Sequence, residues 1–563
     1  MKREALDNFT DLSGWSTVAS GQAQISLSAD RCVHGKAMRV DFDFKDSGGF
    51  VVARKAFSLT LPEAYAFRFN LRGSAPTNKL EFKLVDPGGH NVWRYQEDPF
   101  DFDCDRRSIR ISSSQIEFAW GPAGGGPVHQ VGVIEFVIAA GPGGKGTLWI
   151  DDLCWEDHSF RATPVVQASS ELQDHEAICA VDRSTDTSWR SELSDKPQWF
   201  LIDFGELREY GGMIVHWEST TRARRFDIET SNDGDQWKTV YCARRASGER
   251  NYVYLPKSSS RFVRLNLHPS EQDQGVGIVD IDIKPYDFSR TINDFFRNIA
   301  KNQPKGHYPK YLYAKQTYWT PAGIPDGVTR GIMNEEGLVE VDEGSFSLEP
   351  FLYLDEQLIT WADVCPEQTL EHSYLPIPSS LWKSHGAALK TTAFATGDRG
   401  KSVLYVHYRL ENILDHSKLG RFFVAIRPFQ VTPPWQSFRN LGGISQIKAL
   451  TLKDGAIWIN RDKVVIPLDP PSQFGATTFD QGDITGYLER GVLPNKKALV
   501  DDFGHASAAL GYELTLAPGA AQDIYIAVPF GSHDETKTEP LLPKGVSGAE
   551  QFEIAVRQWQ RRL

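Results

Sequence analysis

The chain lacks a cysteine framework. Its six cysteines, Cys32, Cys104, Cys154, Cys179, Cys242 and Cys365, are scattered through 563 residues without paired spacing. That excludes a disulfide-stapled scaffold and a cysteine-based zinc site, and leaves free thiols as the expectation. No run is long and apolar enough to span a membrane. Behind the basic start Met1-Lys-Arg there is no apolar stretch, so no secretory leader is read. The expectation is a cytoplasmic chain, with a secreted or periplasmic one left open if a leader has been trimmed. Positive charge is also short: 61 Lys and Arg face 73 Asp and Glu, a net charge of −12 without basic blocks. Nucleic acid is therefore excluded as the expected partner. Reaction signatures are missing too, since no Gly-x-Ser-x-Gly, phosphate loop, metal-binding His pair or Cys/His arrangement occurs.

Aromatics, by contrast, are plentiful, at 12% of the chain with 15 tryptophans, and 40% of residues are apolar. That suffices for several packed cores, and the length predicts roughly three or four domains. Residues 1–158 read as short alternating strands, among them Met38-Arg-Val-Asp-Phe-Asp-Phe44, Ala66-Phe-Arg-Phe-Asn-Leu71 and Ile134-Glu-Phe-Val-Ile138. Period-two alternation without a helical period predicts a β-sandwich. After a glycine turn at Pro87-Gly-Gly-His90, Trp93, Arg94, Tyr95 and Gln96 are presented together. Sugars are held by aromatic faces and planar hydrogen-bonding groups, so these four are candidate carbohydrate contacts. Alternation puts Trp93 and Tyr95 on one face and Arg94 and Gln96 on the other, so one of those pairs is open to a core role.

The chain's organising stretch is Ala180-Val-Asp-Arg-Ser-Thr-Asp-Thr-Ser-Trp189, followed by Gln198-Trp-Phe-Leu-Ile-Asp-Phe-Gly205. Its carboxylates and hydroxyls suit a hard cation, or an Asx turn without an ion. Farther on come Phe226-Asp-Ile-Glu-Thr-Ser-Asn-Asp-Gly-Asp-Gln-Trp237 and Arg261-Phe-Val-Arg-Leu265. In this order the motifs resemble the coagulation-factor 5/8 type C (discoidin) domain, expected over 160–286, with Trp189, Trp199 and Trp237 as packing residues. The resemblance implies a structural calcium held by the Ala180 carbonyl, Asp182, Thr187 and Asp280. Arg183 stands where the family has glycine, and Asp280 where it commonly has glutamate. The family binds ligands at loop tips, which makes Trp217, Arg222 and Arg224 candidates for a sugar or an anion; a solvated turn explains the same residues. Likewise Leu6-Asp-Asn-Phe-Thr-Asp-Leu-Ser-Gly-Trp15 and Leu148-Trp-Ile-Asp-Asp-Leu153 resemble the first and last strands of jelly-roll carbohydrate-binding modules, which implies a second calcium at Asp7 and Asp152; the alternative is that both simply face water.

Residues 287–329 read as a linker helix, with Ser289 as its N-cap and Phe288, Ile292, Phe295, Phe296 and Ile299 on one stripe, followed by an aromatic loop. Long strands over 330–533 predict one large two-sheet sandwich. Ile359-Thr-Trp-Ala-Asp363, Arg409-Leu-Glu-Asn412 and Leu516-Ala-Pro-Gly-Ala520 resemble the super-sandwich domain of glucoamylase-like glycosidases and disaccharide phosphorylases. Over 534–563 a capping box at Ser547 opens a helix carrying Phe552, Val556 and Trp559. In those families such a helix leads to an (α/α)6 catalytic barrel. Proline-stiffened loops offer Trp382, Arg427, Trp435 and Gln436 as the border of a sugar groove, or as packing against such a barrel. Carboxylate candidates for glycoside cleavage are Glu335 with Glu336, Asp342 with Glu343, Asp355 and Asp363.

The fold class expected is all-β: three antiparallel sandwiches with a linker helix and a C-terminal helix. The function expected is binding of an oligo- or polysaccharide by the non-catalytic portion of a carbohydrate-active enzyme, or by a chain that docks to one. Two alternatives stay open: a complete glycoside hydrolase with its site in the third domain, and a discoidin-type scaffold for anionic surfaces.

Overall fold

The structure is a computed structural model that describes the chain apart from residues 1, 33–34, 46–47, 63, 103, 124, 159–163, 195, 269–274, 437–441, 537–540 and 544. About 53% of it is strand and 10% helix, an all-β fold. No helix among the described residues is long and apolar enough to cross a membrane.

The N-terminal sandwich packs two six-stranded sheets. In one, Lys145–Asp157 lies between Gly35–Asp43 and Tyr65–Ser74, and Lys2–Asp7 pairs with its far half, so the first and last strands of the domain are neighbours. The other runs Glu117–Trp120, Val92–Phe100, Asn78–Val85, Gln130–Ala139, Phe50–Thr60, Trp15–Ala19. Alternation decides what faces inward: Met38, Val40 and Phe42 are buried, while Arg39 forks onto its strand neighbour Asp41 at 2.9 Å. The middle of the core is a ring cluster, with Phe69 and Phe82 stacked and Phe136 edge-on to both.

In the middle domain two long strands, Gln198–Trp217 and Arg250–His268, pair along most of their length within a seven-stranded sheet system. Their register shifts between Asp203 and Arg208, where Gly205 takes a positive φ and the Arg261 guanidinium forks onto Asp203 with both contacts at 2.9 Å. Trp189 is fully buried, whereas Trp199 and Trp237 are half-buried, the latter under the Arg264 guanidinium at 3.9 Å.

The helix Ile292–Ala300 follows. Its N-cap is Thr291, which accepts from the Asp294 N–H at 3.1 Å, and not Ser289. Ser289 is fully buried and donates to the Gly211 carbonyl instead, tying the linker to the middle domain. Phe295 and Phe296 pack on Tyr254 of the middle domain and on Phe429, Phe479 and Phe503 of the next, so the helix is an apolar wedge between the two.

The third region forms an eight-stranded and a nine-stranded sheet, built on Ser347–Leu354, Lys418–Arg427 and Ser507–Leu516 in one and Ala387–Asp398, Lys401–Asn412 and Ala521–Pro529 in the other. Residues from both share one core, including Leu352, Phe422, Val424, Leu510, Leu389, Val406 and Ile526. The helix Gly548–Arg562 is capped by Ser547 and packs Phe552, Val556 and Trp559 with Phe394 and Tyr405 of the nine-stranded sheet and with Leu375 of the loop beside it.

Candidate functional site

The sheet of the N-terminal sandwich that contains Val92–Phe100 has an outer face dense in polar side chains. Residues paired across antiparallel strands project to the same side. The register therefore lines up Glu117, Arg94, Lys83, Glu135 and Arg54 across five strands, with Gln96 beside Glu81 in the next row and Trp120 opposite Val92 in the row before. Glu81 is buried in the middle and is held by Lys79 at 3.0 Å, Lys83 at 2.9 Å and Arg94 at 3.2 Å. Burial pushes its carboxyl up, but the bonds from Lys83 and Lys79 outweigh that and leave it below the usual carboxylate range. Trp120 is 50% exposed, and Lys83 lies over its ring at 5.1 Å. The face thus offers a flat apolar ring next to a fixed constellation of charged and amide groups.

Alternation resolves the four residues singled out here from the sequence. Arg94 and Gln96 stand on this face. Trp93 is only 6% exposed, donates from its indole nitrogen to the Gly126 carbonyl at 2.7 Å and sits edge-on to Phe118, so it is a core residue, not a sugar platform. Tyr95 packs against the same core, and its hydroxyl donates to Glu97 at 2.7 Å. The exposed ring that sequence reading missed is Trp120, whose edge strand follows a short turn of 3-10 helix; Glu117-Phe-Ala-Trp120 carries too little alternation to show which face it presents.

At the loop end of the middle domain, Trp217 is also a core residue, with its indole nitrogen donating to the Asn251 side chain at 2.7 Å. Arg224 is exposed, whereas Arg222 is half-buried in a cleft of 460 Å³ shared with the third domain. The tip is docked: the Asp480 carbonyl accepts from the Ser247 N–H at 3.0 Å and from the Asn251 amide at 3.1 Å.

The candidate groove of the third domain is filled by the chain's own aromatic linker. Trp382 is buried and donates to the Glu336 carbonyl at 3.0 Å. Arg427 has no exposed surface; it contacts Glu349 at 2.7 Å and Asp483 at 3.0 Å, with Tyr308 and Phe429 rings against its guanidinium. Burial drives Glu349 up while Arg427 pulls it down, and the balance leaves its carboxyl raised. Gln436 clamps the backbone of Thr317 from both sides, at 3.0 and 2.9 Å. Trp435 is 44% exposed, with the Arg297 guanidinium over its ring at 5.5 Å and Tyr311 edge-on; the loop's continuation, 437–441, lies outside the described residues.

The carboxylates considered for glycoside cleavage have structural partners. Lys310 holds both Glu335 and Glu336, Lys463 holds Asp342 beside Glu343, Lys418 holds Asp355, and Asp363 accepts from the Thr360 N–H and hydroxyl in a capping box. Glu340 is buried and pushed up to about 7, but its carboxylate accepts backbone N–H groups of Val431 and Gly344 and so fixes two loops.

The expected calcium positions differ in quality. Asp7 accepts from the Trp15 indole, the Phe9 N–H and the Lys55 ammonium, while Asp152 pairs with Arg3. In the middle domain Asp182 accepts from the Ser184 N–H and the Thr187 hydroxyl, both at 2.8 Å. Arg183 adopts φ +64°, the conformation for which glycine is the usual residue. Asp280 is raised by burial, then by Asp282 and Asp182, against the pull of Arg183 and of the Ile281 N–H. This all-oxygen set is of the kind that suits a hard cation. Among the described residues no group of three or more His, Cys, Asp or Glu side chains is arranged to hold a metal, so a carbonyl and a hydroxyl have to complete it.

Residues 165–280 match the sequence profile of the F5/8 type C domain, so the middle of the chain carries that domain. No curated protein matches the chain. Among solved structures it is similar to chitosan-binding module 2 of a chitosanase/glucanase from Paenibacillus sp. IK-5, in complex with chitotriose (24% identity, 22% of this chain and 99% of that one, TM-score 0.21). Another is the family 11 carbohydrate-binding module from Clostridium thermocellum in complex with a β-1,3-1,4-mixed-linked tetrasaccharide (17%, 28% and 95%, TM-score 0.25). A third is the family 32 module of C. perfringens NanJ in complex with galactose (14%, 21% and 92%, TM-score 0.20).

Proposed function

We propose that the chain is a carbohydrate-binding protein and that its N-terminal sandwich holds a neutral oligo- or polysaccharide on the outer sheet face described above. The observation that carries this is Trp120, half exposed with Lys83 over its ring, on a sheet face whose next two rows bring Arg94 and then Glu81 with Gln96. The indole face stacks on the apolar C–H face of a pyranose, and the guanidinium, amide and ammonium groups bond its hydroxyls. Because Glu81 is locked by three cations, the polar groups are set before the sugar arrives, which lowers the ordering cost of binding. The test is affinity electrophoresis and calorimetry of the full chain on neutral glucans, xylan, mannan and chitooligosaccharides. Trp120→Ala and Arg94→Ala are each expected to weaken binding by roughly tenfold. Full affinity in both variants, or no binding to any glycan, refutes the reading.

The two large sheets of the third region and the helix laid on one of them support the super-sandwich reading, and with it a place beside an (α/α)6 catalytic barrel. On that reading the chain alone turns over no aryl glycoside, and mixing with the barrel partner restores activity. The Ala180 carbonyl, Asp182, Thr187 and Asp280 are the residues that hold a structural calcium in this proposal; the φ of Arg183 and the crowding at Asp280 support it.

A further inference from the structure

The cleft between the middle and third domains has an unbalanced wall. Two carboxylates line it, and both are engaged: Asp480 accepts from the Tyr241 hydroxyl, and Asp483 from Arg427 and Thr485. Three arginines also line it, Arg222 and Arg250 from the middle domain and Arg490 from the third. Arg490 lies over the Tyr487 ring at 5.2 Å, and among the described residues none of the three guanidiniums has a carboxylate partner. On a chain of net charge −12, three unneutralised guanidiniums around one concavity focus positive potential there.

The rest of the wall narrows the ligand class. Tyr252 and Tyr487 supply flat apolar rings, and Gln303 an amide that donates to the Tyr252 hydroxyl at 3.3 Å. A guanidinium fork matches the planar oxygens of a carboxylate and those of a sulfate. Rings of tyrosine beside such forks suit a molecule with both an apolar ring face and an oxyanion. The 460 Å³ volume falls within the roughly 300–1,000 Å³ of small-molecule sites. We propose that this cleft binds an acidic saccharide, a pyranose bearing a carboxylate or sulfate, gripped by both domains at once. The site is separate from the sheet face around Trp120 and does not rest on it. A ligand touching both walls also stabilises their docking.

The test is calorimetry of the full chain with oligogalacturonate, a sulfated disaccharide, a neutral cello-oligosaccharide and sodium sulfate. At least one acidic saccharide is expected to bind more tightly than sodium sulfate, and to weaken as salt is raised. Which one binds identifies the oxyanion. The Arg222→Gln/Arg490→Gln double variant, whose two side chains are not core residues, is expected to lose roughly tenfold or more in that affinity with unchanged thermal unfolding. Trp120→Ala is expected to leave it intact, and Tyr487→Ala to weaken the saccharide but not the free sulfate. The proposal is overturned if neither acidic saccharide binds, if sodium sulfate binds equally well, or if the double variant binds like the parent.

Discussion

The Tyr241 hydroxyl donates to the Asp480 carboxylate at 2.5 Å across 239 positions of sequence, joining the F5/8 type C domain to the third domain. Beside it the Asp480 carbonyl takes the Ser247 N–H and the Asn251 amide, and Asn251 is held in turn by Trp217. A loop end that the sequence resemblance assigns to ligand binding is therefore used here for docking, with one cleft left open beside it.

Burial pushes the Asp480 carboxyl up to about 6, although the Tyr241 bond pulls it down. A folded-state value above the unfolded one means that this group's contribution is complete below about pH 4 and is lost as pH rises through about 6. Glu340, pushed up to about 7, acts in the same sense. His505, lowered to about 4 by burial, acts in the opposite one, its contribution being present above about pH 6.5 and lost as pH falls through about 4. To isolate Asp480, urea denaturation of the parent and of Asp480→Asn is compared from pH 4 to pH 7. The parent's advantage is expected to shrink by about 3 kcal/mol over that range; a constant difference refutes the assignment.

Arg427 neutralises two acidic side chains in a site with no water-exposed surface of its own. Arg427→Met is expected to cost about 3–5 kcal/mol, because Glu349 is left buried and uncompensated. Adding Glu349→Gln to that variant recovers part of the loss. Thermal unfolding checks both, and a tolerated single substitution contradicts the account.

Two tryptophans of the N-terminal sandwich separate stability from binding. Trp93→Ala opens a cavity in the core, so a loss of about 3–5 kcal/mol is expected. Trp120→Ala removes a half-exposed ring and is expected to change unfolding little while reducing glycan binding. If the two exchange phenotypes, the face assignment is wrong.

Calcium is expected to raise the unfolding temperature of the middle domain and EDTA to reverse it, with Asp280→Asn abolishing the response. Equal melting in both solutions and in the variant removes calcium from the proposal.

The C-terminal helix and the motif strands that carry Asp203 and Arg261 were readable because their signals are local or belong to a specific motif: a cap with a 3.6-residue stripe, and strand motifs in fixed order. The N-cap of the linker helix was misplaced by two residues because Ser289 and Thr291 are both capping types, and only packing against Gly211 decides between them. Trp382, Gln436 and Arg427 looked like a groove border because proline-rich loops carry polar and aromatic residues whether they face solvent, the domain's own core or the linker.

By itself the sequence determined the all-β character and the F5/8 type C motifs, since both rest on spacing that the pleat and the turn impose within a few residues. Which aromatic of the first sandwich reaches solvent, and which loops of the later domains are spent on one another, was decided only by tertiary structure. Burial depends on what lies across the sheet or the interface, and residues hundreds of positions apart, such as Tyr241 and Asp480, carry no mark of one another until the chain brings them together.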